Sequence, residues 1–455
     1  RRRRRRRRPR SGSRSRSRKR DRGRGALSNQ SQASFSSSMM LIACLASVAF
    51  LPGIWKQEAH LGQLNSAHTR QQSAVLFRKP AELHPHTPAA RRLEAILERC
   101  EEGPAPDYRP TLWAKNRFAN LGLYMFKVEA DRALRRGPFI KWQSISPDLD
   151  IAWSDCDDTQ ALPSDAPLLL ILHTLTGTAA SAQWLVRAAT QRGWRTCVLV
   201  RRGHARTLAS PSFNLLGDVD DAKEQVRHAK TAYPDAQLTA MVGLSAGSGL
   251  LVSYLGQEGD RAEVDAACAV CPAYDVAQAF TRLKDEFPLT DRFLLNDVKR
   301  KFVKSNEEIL RDFSPAAFDR CIQARTLHEF FGAHAPFALR NPNAKAEDYF
   351  TICNPMAYYH GLRVPLFILS SCDDMVCHKR QIRDDLAKVT PGVALLRTQE
   401  GSHLAFNEGV FGQRSYVIRS IFNFLNAALH TETELGSHRT MVQRKAPWKS
   451  RDSQD

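Results

Sequence analysis

Residues 238–255 read LTAMVGLSAGSGLLVSYL. Leu238 to Val242 is a short apolar run of the kind that makes a buried strand, and Ser248 to Leu255 continues in helix-compatible residues. Between them stands Gly243-Leu244-Ser245-Ala246-Gly247, a G-x-S-x-G match. The bare pattern arises by accident in chains of this length; the strand before it and the helix after it make it informative. Small residues at 243 and 247 permit a sharp turn that exposes the Ser245 Oγ. The helix N-terminus behind it favours developing negative charge. A glycine-rich turn without chemistry is the plain alternative.

Outward from this turn, strands and helices alternate. Pro167 to Leu172 is a continuous apolar run followed by HTLTGT, and Ser181 to Arg192 reads as a helix. Thr196 to Val200 is the next strand and leads into the loop RRGHARTL. Val219 to Ala232 reads as a helix. Val264 to Cys271, Pro365 to Leu369 and Val393 to Arg397 extend the strand series. Runs apolar on both faces, alternating with helices, predict an α/β fold with a mostly parallel, doubly wound sheet. Asp275 to Tyr359 breaks the alternation with amphipathic helical segments such as AFTRLKDEF and RFLLNDVKRKFV. It reads as a helical insertion, either a lid above the carboxyl ends of the strands or a layer that covers the sheet.

A serine hydroxyl is a weak nucleophile until a base takes its proton. In a sheet of this kind the acid and then the histidine should follow the serine in chain order. Cys372-Asp373-Asp374-Met375 ends the strand VPLFILSS, and His403 lies in a Gly/Ser loop after the last strand. His403 is therefore the candidate base. Asp374 or Asp373 would fix its tautomer, and spacing alone divides the two evenly. One oxyanion N–H is expected from Ala246 and a second from the loop after the first long strand, with Leu175 the candidate and Thr174 close behind.

The chain has 455 residues, 43% hydrophobic and 25% charged, which is ordinary globular composition. Its net charge of +19 is local: residues 1–25 hold sixteen Arg or Lys and one Asp, so the rest is nearly neutral. That argues against a nucleic-acid-wrapping body. Residues 1–38 read as an Arg/Ser-rich tail too charged to bury a core. RNA contact is its functional reading; an extension outside the working protein is preferred. Residues 39–55, beginning MMLIACLASVAFL, suit a signal-like segment or a membrane anchor, with single-pass insertion included, against a helix packed on the core. Ten cysteines are scattered, and Cys268-x-x-Cys271 lacks a second pair to complete a zinc site. Buried free thiols are expected.

The motifs YRPTLW, DIAW, HTLTG, RRGH, YPDAQL, GLSAGSGLLVSYLGQEG, CPAYDV, TLHEF, VPLFILSSCDD and GSHLAF, in that order, resemble AB hydrolase family 4. The resemblance covers roughly residues 108–428. It implies an alpha/beta-hydrolase domain over 108–430 with a lid at about 275–360. Residues 56–107 then form a linker and N-terminal helical region, and 431–455 a polar tail. It also implies a serine esterase acting on acyl esters of lipids, such as monoacylglycerols or phospholipids, with acyl transfer to an alcohol in some members. Within that pattern Asp374 is the acid and His403 the base, no cofactor or metal is needed, and a membrane surface is the expected workplace. Nucleic acid is not an expected partner. Thr174, Met375, Ala405, Phe331 and Ala246 stand where the family pattern usually has Gly, Pro, Gly, Asp and Leu. The departures at 174, 331 and 405 are the support for a second reading, a weak or inactive scaffold that binds a lipid or a protein.

Overall fold

The computed structural model describes residues 74–76, 87–133, 139–155 and 162–445. The Arg/Ser-rich tail and the apolar 39–55 segment lie outside the described residues. Among those described, no helix is long and apolar enough to cross a membrane.

Nine strands form one sheet: β1 (Ala74–Leu76), β2 (Phe139–Ser146), β3 (Leu149–Asp155), β4 (Leu168–Leu172), β5 (Arg195–Val200), β6 (Thr239–Leu244), β7 (Ala266–Val270), β8 (Leu366–Ser371) and β9 (Val393–Thr398). Their order is β1-β9-β8-β7-β6-β4-β5-β3-β2. The six strands from β9 to β5 run parallel, with β1 and the β2–β3 hairpin antiparallel at the edges. The apolar runs sort by the two-residue period of a strand. Leu169 and Ile171 of β4 join one core, with helices Pro88–Glu98, Gln183–Thr190 and Tyr416–Lys445. Leu168, Leu170 and Leu172 join the other, with helices Val219–Ala232 and Ala246–Glu258. Burial on both faces removes any polar alternation, which is why these strands read as unbroken apolar runs.

Between β7 and β8 the chain is helical throughout, in keeping with the expected insertion. Its helices include Val276–Glu286, Pro288–Val298, Pro315–Gln323 and Leu327–Ala338. Each start is marked in sequence: Asp275 accepts from the Gln278 N–H at 2.9 Å, Thr326 from the Glu329 N–H at 3.2 Å, Pro288 opens its helix, and Ser314 precedes Pro315. The insertion has its own core, in which Phe331 stacks on Phe280 at 4.6 Å between ring centroids. Phe331, where the family pattern has an acid, is thus packed inside the lid.

Three features differ from the sequence reading. The β2–β3 hairpin gave no strand signal, because Lys141 to Ser144 on the edge strand are exposed and mix polar with aromatic residues. The helix after Ser245 spans Ala246–Glu258, longer at both ends than expected. The C-terminal helix runs to Lys445, so the expected polar tail from 431 begins as a continuation of helix.

Candidate active site

Ser245 sits between β6 and the helix Ala246–Glu258 at φ +54°, ψ −115°. A non-glycine residue there is strained by about 1–3 kcal/mol and persists only where its surroundings dictate it. The glycines on either side supply that dictation. A Cβ at Gly243 would lie 2.6 Å from the Gly247 carbonyl oxygen, and one at Gly247 would lie 2.3 Å from the carbonyl oxygen of Leu172. Only bare backbone lets the helix approach β4 this closely. The Ser248 Oγ, 2.7 Å from the carbonyls of Gly243 and Val270, ties the first helical turn to β6 and β7.

The loop after β9 brings His403 to Ser245. Its backbone takes positive φ at Gly401, Ser402, Leu404 and Phe406. The Ser402 N–H donates to Asp373 Oδ1 at 2.7 Å, and the Phe406 N–H closes the turn on the Gly401 carbonyl at 2.9 Å. His403 Nε2 then stands 2.7 Å from the Ser245 Oγ. On the far side of the ring, Nδ1 is 2.8 Å from Asp374 Oδ2 and 3.0 Å from Oδ1. A carboxylate accepts only, so Nδ1 carries the proton and Nε2 offers its lone pair to the serine hydroxyl. Asp374 is itself held by the N–H groups of Val376 and Cys377 at 2.7 and 2.8 Å.

The two aspartates left open by spacing separate here. Asp374 faces the imidazole; Asp373 is half-buried beneath the histidine loop and accepts from the Ser402 N–H and the Ser371 hydroxyl. Burial pushes the Asp373 carboxyl up to about 6, against the pull of those two donors.

The Cys271 thiol lies within 4.8 Å of ligand atoms on Asp374 and His403. Burial, and then the Asp374 charge, hold it well above its ordinary value. It stays a protonated thiol, a poor ligand for a metal ion. Cys268, inside β7, and Cys271 are both free thiols buried in the same apolar cluster.

Leu175 and Ala246 line the same cavity as Ser245 and His403. Ala246 opens its helix, where the first N–H groups have no intrahelical acceptor. The Leu175 loop is governed by residues that the sequence reading did not single out for a role. Arg201, 5% exposed, donates to the carbonyls of His173 at 2.9 Å and of Thr174. His204 Nε2 is 2.9 Å from the Leu175 carbonyl. A peptide C=O and the next residue's N–H point in opposite directions. Holding the Thr174 carbonyl from below therefore turns the Leu175 N–H away from Arg201. Burial lowers Arg201 to about 9, still charged at neutral pH. Such a group is costly unless its donors are used. RRGH after a buried strand was the available signal. Thr174, where the family pattern has Gly, is accommodated because Gly177 has no side chain; a Cβ there would meet the Thr174 Oγ1 at 2.6 Å.

The cavity has a volume of about 830 Å³ and runs from Ser245 beneath the lid. Its apolar wall includes Leu250, Phe280, Phe293, Leu294, Phe302 and Leu339. Among its charged residues, Asp297 pairs with Arg300 and Lys301 at 2.7 Å and Glu129 with Arg132 at 2.8 Å.

The sequence profile of the alpha/beta hydrolase fold matches residues 167–410. Phospholipase ABHD3 of Bos taurus is 25% identical over 340 residues, 72% of this chain and 80% of that protein. Monoacylglycerol lipase of Saccharomyces cerevisiae is 26% identical over 275 residues, covering 57% and 59%. A medium-chain fatty acid ethyl ester synthase/esterase of the same yeast is 26% identical over 271 residues, covering 53% and 58%.

Proposed function

This chain belongs to the alpha/beta hydrolase fold family, and on that premise we propose that it is a serine hydrolase of lipid carboxylic esters. The observation that carries the reading is the unbroken line from Asp374 through His403 to a strained Ser245, opening onto an apolar cavity. His403 Nε2 takes the Ser245 proton as Oγ attacks the ester carbonyl. Asp374 fixes the tautomer and stabilises the imidazolium. The N–H groups of Ala246 and Leu175 receive the oxyanion. Collapse expels the alcohol, protonated by His403, and leaves an acyl-enzyme. Water, activated by the same imidazole, releases the acid.

Apolar walls on a volume of about 830 Å³ suit an acyl chain in place of a small polar acyl group. The relatives named phospholipase and monoacylglycerol lipase support a glycerolipid ester as substrate. The ethyl ester synthase/esterase favours a second fate for the acyl-enzyme, capture by an alcohol in place of water.

The test is intact-mass spectrometry of the full chain after treatment with a fluorophosphonate. Wild type should gain one adduct and Ser245→Ala none. A folded wild type that gains no adduct, or a mutant that keeps it, would remove Ser245 from the role.

A further inference from the structure

The segment Thr111–Lys115 and the loop Gly409–Gln413 lie side by side outside the cavity. Leu112 is 80% exposed, Trp113 56%, Val410 70% and Phe411 77%. Large side chains so exposed and so clustered are unusual on a soluble surface. They are also held in place. The Thr111 N–H donates to the Asn407 carbonyl at 3.0 Å, and the Thr111 hydroxyl to Gly409 at 2.8 Å. The Trp113 indole N–H donates to the Val410 carbonyl at 2.7 Å, which satisfies its one polar group and leaves the ring apolar. Lys127 Nζ reaches the Gly412 carbonyl at 2.6 Å. The four side chains thus form a braced knob.

Its neighbours are basic. Lys115 and Arg414 are exposed, and Arg109 stands out with Asp107 4.0 Å away. Both chains that build the knob lead to the site. The loop that carries His403 from the end of β9 continues directly into Val410 and Phe411. The helix Arg117–Ala133, which follows Trp113, lines the cavity with Leu121, Tyr124, Met125 and Val128.

We propose that Leu112, Trp113, Val410 and Phe411 are a bilayer-docking surface, inserted among acyl chains while Arg109, Lys115 and Arg414 meet anionic headgroups. Insertion sets the Leu121 face of the cavity against the membrane, so a lipid ester passes from bilayer to Ser245 without crossing water. Apolar insertion plus basic attraction is the physics of interfacial binding, and tryptophan is a residue favoured at that depth. The surface supplements any anchoring by residues 39–55, and its part in turnover rests on the lipid-ester reading.

The test uses the full chain, wild type against Val410→Asp/Phe411→Asp, neither position lining the cavity. Three readouts are taken: hydrolysis of a water-soluble short-chain ester; hydrolysis of a glycerolipid ester in phosphatidylcholine vesicles with one-fifth phosphatidylserine; and quenching of tryptophan fluorescence by brominated lipid, with Trp113→Phe as control. The double mutant should keep the soluble activity and lose about tenfold on vesicles. Quenching should fall in the double mutant and in Trp113→Phe. Equal vesicle activity and equal quenching would overturn the surface. So would self-association of wild type without lipid that the aspartates abolish, since a second copy would then cover the knob. A wild type that hydrolyses neither ester yet shows Trp113 quenching refutes the lipid-ester reading and leaves the docking surface standing.

Discussion

Residues 243–247 and residues 173–178 approach Ser245 from two sides, and opposite means hold them. The first turn is fixed by what is missing: without side chains at Gly243 and Gly247, backbone meets backbone at distances a Cβ forbids. The second is fixed by what is added: a buried guanidinium and an imidazole gather the carbonyls of His173, Thr174 and Leu175. The two meet at Gly247, whose missing Cβ would fall 2.3 Å from the Leu172 oxygen and 2.8 Å from that of His173. A sterically fixed loop should fail together with the fold, whereas an electrostatically fixed one should fail by itself.

The largest expected effect is therefore Gly247→Ala. No flexible side chain stands there to yield, so helix and strand must part, at a loss on the order of 4 kcal/mol. Urea unfolding should show the shift, with activity lost in parallel. A mutant with wild-type stability would mean that the turn is not held by close approach.

Arg201→Met sharpens the contrast. Removing the cation leaves the buried carbonyls of His173 and Thr174 without their donor, so stability should fall by about 1–3 kcal/mol, less than at Gly247. The Leu175 N–H, no longer oriented, should cost about a hundredfold in kcat on a soluble ester, the scale of one lost oxyanion donor. KM should move little, and Arg201→Lys should recover part of the loss. A folded Arg201→Met with unchanged kcat would show that the loop keeps its shape without the cation.

The same contrast explains what could be read in the sequence. Constraints written in consecutive residues were legible: the glycines at 243 and 247 with their strand and helix, the apolar runs of β4 to β9, and the order of a serine, an aspartate pair and a histidine after β6, β8 and β9. Constraints made between distant segments were not. Arg201 is 26 residues from Leu175, and RRGH looks like any polar loop until β5 sets it under the carbonyls. Asp373 and Asp374 are adjacent at one strand end, and only the path of the 401–406 loop decides which meets the ring. At the edge the signal fades for another reason: Lys141 to Ser146 of β2 bury too little to show a period.

Asp373 supplies the smallest effect and tests the added-group principle at the histidine loop. Its carboxyl titrates near 6 in the folded chain against an ordinary value of 3.8, because burial opposes the charge. A raised carboxylate value means that the folded state holds the proton more tightly than the unfolded one. This group's contribution is therefore most favourable below about pH 4 and is lost as pH rises through about 6. Asp373→Asn keeps an acceptor for the Ser402 N–H and never ionises. Relative to wild type, its urea midpoint should improve between about pH 4 and 7, with kcat within about threefold of wild type, because Asp374 is untouched. A stability difference that stays flat with pH would mean that Asp373 is already ionised below pH 4 in the folded chain. The histidine loop would then rest on a full charge, as the Thr174 loop does on Arg201.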